Sequence, residues 1–189
     1  QDWQAGWSGD NATSGEWVWG EPNPTYWEGI LVQTNVDHTE DGTSCFVTGN
    51  TDDPNNVGAD DVDGGETTLF SPVFDLSDSE DVLLTYWRWY TNNIGDNPSA
   101  DYWNVEISND SGDSWTSLEN TTLSNASWKR QRFILSDYID LTDEMQLRFI
   151  AEDVYNDGDN GSGGSLVEAA VDDIFFEAIS FSSGCDANG

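Results

Sequence analysis

VLLTYWRWY (82–90) divides its side chains between two faces when extended: Leu83, Thr85, Trp87 and Trp89 on one, Leu84, Tyr86, Arg88 and Tyr90 on the other. The first set reads as a core face and the second, carrying Arg88, as amphipathic. The same period of two runs outward in both directions. DYWNVEIS (101–108) groups Trp103, Val105 and Ile107 against Tyr102, Asn104 and Glu106, and NDSGDSW (109–115) supplies turn residues, so 101–119 reads as a hairpin. WKRQRFIL (128–135), EMQLRFIAED (144–153) and SLVEAAVDDIFFEAI (165–179) read as later strands, the last apolar enough for a centrally buried one. EWVW (16–19), GILVQ (29–33) and SCFVTG (44–49) are weaker strands, and TTLFSP (67–72) places Leu69 and Phe70 on opposite faces before Pro72 ends it. Nine or ten short strands bracketed by Gly, Asn, Asp, Ser and Pro predict an all-β chain: a two-sheet antiparallel β-sandwich with jelly-roll or Greek-key wiring.

A chain of 189 residues holds one domain with a real core, and ten Trp, eight Phe and six Tyr supply large apolar surfaces to bury. We place that domain at residues 1–181, with 182–189 a linker or the start of a following calcium-repeat region, and NDGDNGSGGS (156–165) as a loop. Asp and Glu number 37 against five Lys and Arg, a net charge of −32. That field repels nucleic acid, anionic membranes and sulfated glycans and attracts cations. Most of the charge reads as a solvated surface. There is no run of 18 apolar residues to insert into a membrane. Cys45 and Cys185 could pair in an exported protein, or Cys185 could pair elsewhere.

GADDVDGG (58–65) is acidic but fails the EF-hand template, because Asp61 and Asp63 at positions 1 and 3 put Gly65 at position 5. The C-terminal CDANG has the first ligand spacing of a short calcium repeat of the dockerin or thrombospondin-type-3 kind. In VEAAVDDIFF an unpaired ionised carboxylate would cost several kcal/mol inside an apolar strand. Glu168 and Asp172 fall on one face and Asp173 on the other, and either Ca²⁺ or Arg88 or Arg148 would compensate them. With one His and no G-x-S-x-G, H-E-x-x-H or reactive-Cys motif, no catalytic residue is assigned. Trp3, Trp7, Trp17, Trp19 and Trp27 crowd the first 30 residues, and Trp17, Trp19 and Trp27 are candidates for stacking a sugar ring. Core packing is the expected role of Trp87, Trp103 and Trp115.

In order along the chain, DHTEDGTSCFVTG (37–49), TTLFSPVFDLS (67–77), LLTYWRWY (83–90), LRFIAED (147–153) and VEAAVDDI (167–174) resemble the MAM-like jelly-roll domains. The nearest forms are those appended to secreted bacterial peptidases, including the cleaved-adhesin modules of gingipains. The resemblance spans about residues 16–178 and implies an antiparallel jelly roll, a calcium or other cation near the chain ends, and secretion or a cell-surface location. Carried over by motif, Asp37 and Asp172 or Asp173 are metal candidates. By chemistry alone we add Glu21, Asp61, Asp63 and Glu168, hard oxygen donors in loops or beside a strand end. The multiple disulfides of vertebrate MAM domains are missing, and GADDVDGG and WGEPNP are additions, which weighs against vertebrate-style homophilic adhesion. The function expected is that of a non-catalytic, calcium-stabilised extracellular accessory or adhesion module of a larger protein such as a peptidase. Its partner would be an extracellular protein or glycan, with further domains of the same parent chain. The alternatives are a carbohydrate-binding module of a polysaccharide-active enzyme and a subunit of an extracellular assembly.

Overall fold

The computed structural model describes residues 3–53, 57–154 and 164–180. Cys185, CDANG, the 182–189 segment and most of the 156–165 loop lie outside the described residues. Among the described residues twelve strands form: β1 (Gln4–Ala5), β2 (Trp17–Gly20), β3 (Tyr26–Trp27), β4 (Ile30–Leu31), β5 (Cys45–Thr48), β6 (Gly65–Phe70), β7 (Asp81–Thr91), β8 (Tyr102–Ser108), β9 (Thr116–Thr121), β10 (Asn125–Ile134), β11 (Gln146–Asp153) and β12 (Glu168–Ile179). One five-stranded sheet runs β1-β6-β11-β8-β9 and the other β10-β7-β12-β5-β2, with β3 and β4 as a separate pair. From β5 onward the order 5-12-7-10 faces 6-11-8-9, which is jelly-roll wiring. The strands beyond the nine or ten expected are two-residue pairings, and GILVQ is extended only at Ile30–Leu31.

Between the sheets, Leu84, Tyr86 and Tyr90 of β7 meet Trp103, Val105 and Ile107 of β8, Leu147 and Phe149 of β11, and Ala169 and Val171 of β12. The rings set the spacing: Phe149 stands 5.1 Å from Tyr86 and 5.9 Å from Trp103, in edge and tilted geometries that aromatic quadrupoles favour. The core face of β7 is thus the one carrying Arg88, the reverse of the sequence reading. Arg88 is buried there because Glu119 of β9 faces it at 3.0 Å, and the same carboxylate accepts from the Tyr86 hydroxyl at 2.6 Å and Trp103 Nε1 at 3.1 Å. Burial, then the Glu119 charge, hold the Tyr86 hydroxyl well above its usual range. Trp87 and Trp115, expected in the core, are half-buried on outer faces, while Trp103 is buried as expected.

Residues 23–40 lie over the outer face of the β10-β7-β12-β5-β2 sheet. The carbonyl of Val32 accepts from Trp89 Nε1 at 2.8 Å and Thr91 Oγ1 at 3.0 Å, and that of Val36 from Trp128 Nε1 at 3.2 Å. Beneath them Cys45, Val47, Trp89 and Ala170 form a second apolar cluster. That cover buries the Glu168–Asp172 half of β12 on both faces, which is why its sequence there is apolar where a half-exposed strand would alternate. Cys45 is a buried free thiol, and its burial, then the Asp172 charge, push its pKa far up.

Candidate functional site

Asp37, Asp172 and Asp173 come together at one end of the sheet, through a bulge the alternation could not show. Register between β12 and β7 slips between Asp172 and Phe175, and Asp173 takes a φ of 48°. Both adjacent carboxylates therefore reach the 37–39 segment, where a regular strand would send them to opposite faces. Asp172 Oδ2 accepts from the backbone N–H of His38 at 2.9 Å and of Thr39 at 3.3 Å. Asp173 accepts from Thr39 Oγ1 at 2.8 Å and pairs with His38 Nδ1 at 2.7 Å. The imidazole stacks on Trp87 with centroids 3.7 Å apart. Asp37 is buried beside them with Oδ2 unpartnered; burial, then the Asp172 charge, raise its pKa. Asp172 and Asp173 already hold protein donors, whereas Asp37 Oδ2 has none among the described residues.

A second group gathers where the 58–65 loop meets the ends of β11 and β12. Asp61 is 1% exposed, its Oδ1 has no partner, and burial, then Asp63, push its carboxyl up to about 8. Asp153 at the end of β11 is fully buried; its Oδ2 accepts from Gly64 N–H at 2.8 Å, and burial first, with the charge of Asp101, a side-chain hydrogen bond to it and the charge of Asp63, raises its carboxyl to about 7. Asp63 accepts from Ser14 Oγ at 3.2 Å and is raised by burial. Glu168 lies deeper, accepting from Gln33 Nε2 at 2.9 Å and Thr48 Oγ1 at 3.3 Å; burial, then the Asp61 charge, hold it well above its ordinary value. Neither arginine answers these acids: Arg88 pairs with Glu119, and Arg148 with Glu106. Glu21 is exposed and belongs to neither group, its carbonyl accepting from Asn50 Nδ2 at 3.0 Å.

Asp61 and Asp63 open into a cavity of about 350 Å³ also lined by Trp27, Asp96 and Ser165. Asp96, Asp153 and Ser165 were missed in the sequence, where nothing but alternation and turn chemistry marks them. Of the three candidate tryptophans, Trp27 is 45% exposed at this cavity and Trp19 is 54% exposed, its ring 4.8 Å from Phe46. Trp17 is a correction: it is 2% exposed, with Nε1 donating to the Thr67 carbonyl at 3.2 Å, and packs edge-on against Trp103. Among the described residues no three His, Cys, Asp or Glu side chains converge as a ready-made metal-ligand set. What the 58–65 loop would offer a hard cation is the buried carboxyl oxygen of Asp61 that has no partner among the described residues, with Asp153 of β11 beside it.

No protein-family model matches the chain, and no curated protein sequence does. Among solved structures it is similar to the K3 cleaved adhesin domain of Lys-gingipain from Porphyromonas gingivalis W83, at 13% identity over 93% of this chain and 90% of that one, TM-score 0.47. The K1 cleaved adhesin domain of the same protein is similar at 14% identity over 95% and 100%, TM-score 0.47. A structure of carbohydrate-binding modules from the β-sandwich superfamily is similar at 12% identity over 93% of this chain, with TM-score 0.50, and the chain spans 56% of that structure's length. What the chain shares with the carbohydrate-binding-module structure, at 12% identity, is the β-sandwich fold.

Proposed function

We propose that the chain is a non-catalytic extracellular module, accessory or adhesive to a larger secreted protein such as a peptidase, that binds its partner through loops at one end of the sandwich. The carrying observation is the cavity lined together by Asp61, buried with an unpartnered oxygen, by Asp63 and Asp96, and by the exposed Trp27. An aromatic face beside hydrogen-bonding acids suits a polar, neutral or cationic ligand, and a net charge of −32 disfavours a polyanion. Calcium would be held by Asp61, Asp63 and Asp153, displacing the protons that burial favours on Asp61 and Asp153 and fixing the 58–65 loop. The chemistry supplied by the ion is structural. Exposure of Trp27 and Trp19 favours a second reading, a carbohydrate-binding module. Captured extracellular protein or arrayed glycan retained by the wild-type module, and lost in Trp27→Ala at unchanged melting temperature, supports the loop-end site. Undiminished binding by Trp27→Ala contradicts it.

A further inference from the structure

On the outer face of the β1-β6-β11-β8-β9 sheet, away from the 58–65 loop, lies a groove of about 250 Å³ lined by Gln4, Trp7, Phe70, Trp115, Gln146 and Arg148. Its rings are fixed before any ligand arrives. Phe70 forms the floor, with Trp7 edge-on at 6.1 Å and Trp115 tilted at 5.9 Å. Trp115 Nε1 donates to the Gly112 carbonyl at 3.1 Å, closing the turn between β8 and β9. Gly112 is required there: its φ is 93°, and a Cβ would stand 2.9 Å from Gln146 Oε1 and 3.2 Å from the Trp115 ring. Trp7 sits on the 7–10 turn, where the Asp10 N–H donates to the Trp7 carbonyl at 3.2 Å, and remains 45% exposed. The Arg148 guanidinium lies 4.2 Å from the Trp115 centroid and 5.9 Å from that of Trp7, and Glu106 holds its Nε at 2.6 Å.

We propose that this groove is a second ligand site, distinct from the Trp27 cavity, and that it takes a pyranose ring of a neutral glycan against Trp7 and Trp115. Three observations select that chemistry. Rigid aromatic faces carry little ordering cost on binding. Side-chain amides of Gln4 and Gln146 with the Ser111 hydroxyl surround the rings with groups that bond sugar hydroxyls. Arg148 is neutralised by Glu106, so no free cation is offered to a sulfate or uronate, which the overall charge also repels. The proposal rests on the binding-module reading for its kind of ligand but uses none of the same residues.

The test is titration of the protein, with and without added calcium, with cellohexaose, xylohexaose, mannohexaose and laminarihexaose, read by tryptophan fluorescence and calorimetry, for wild type, Trp7→Ala, Trp7→Phe and Trp27→Ala. The expected result is saturable binding of at least one sugar, weakened about tenfold or more by Trp7→Ala, largely restored by Trp7→Phe, and unaffected by Trp27→Ala. Trp7 is exposed, so its loss leaves the fold intact, and equal melting temperatures check this. Binding abolished by Trp27→Ala but untouched by Trp7→Ala overturns the groove while supporting the loop-end site. No binding of any of the four sugars by wild type also overturns it, leaving protein capture at the loop end to be judged separately.

Discussion

Glu119 sits under three donors at once, and changing it to Gln isolates what its charge contributes. The substitution keeps an acceptor for the Tyr86 hydroxyl and Trp103 Nε1 but leaves Arg88, 5% exposed and with Nε and Nη1 already unpartnered, without a counter-charge. Breaking a buried pair at one partner costs about 3–5 kcal/mol. Because Gln preserves two hydrogen bonds, the low end applies, and at about 2–4 °C per kcal/mol for a domain of this size the melting temperature falls by roughly 6–12 °C. Urea unfolding at neutral pH measures the loss, which raised NaCl leaves in place because the pair is buried. Adding Arg88→Met to Glu119→Gln removes the stranded guanidinium and recovers most of the stability. A Glu119→Gln variant within 1 kcal/mol of wild type, or a double variant no better than the single, refutes the reasoning that burial of Arg88 depends on Glu119.

Asp61→Asn tests the buried acid of the 58–65 loop. Its carboxyl, up at about 8 against an ordinary 3.8, keeps its proton in the folded chain over a range where the unfolded chain has lost it. Without calcium, wild-type stability therefore declines as pH rises from about 4 to about 8. Asp61→Asn in chelator should melt with wild type near pH 4 and above it at pH 8; parallel curves at all pH values contradict this. Gly49→Ala should cost at least about 2 kcal/mol in urea unfolding, because φ is 59° and a Cβ would collide with the Asp60 carbonyl. Trp17→Ala should lower the melting temperature steeply, by about 3–5 kcal/mol of lost core packing, while Trp19→Ala stays within about 1 kcal/mol of wild type.

Where side chains follow the regular period of two, the sequence was enough. β8 shows it: Trp103, Val105 and Ile107 are all fully buried on one face. β7 misleads because burial there is decided by a partner on another strand: Arg88 enters the core only because Glu119 of β9 meets it. The D-D-I segment misleads for a different reason. Alternation assumes unbroken register, whereas the bulge puts Asp172 and Asp173 side by side on His38 and Thr39. Trp17 and Trp19 share a face in the pattern yet differ completely in exposure, because β2 is an edge strand that the sandwich covers at one end only. Asp61 and Asp63 were legible as an acidic loop, but Asp153, brought to them from β11, belongs to a strand that reads as ordinary sheet. The Trp7–Trp115 groove draws on four distant segments and has no local signature at all.

The most direct test of the cation site is the melting temperature of the wild-type chain with calcium and after chelation, at constant ionic strength. Calcium at about a thousand times its dissociation constant stabilises the fold by roughly 4 kcal/mol, a fall of about 8–16 °C on removal. NaCl should not restore it, and Asp61→Asn and Asp153→Asn should abolish the response while Asp172→Asn keeps it. A melting temperature unchanged by chelation, or restored equally by NaCl, would contradict calcium binding at the 58–65 loop.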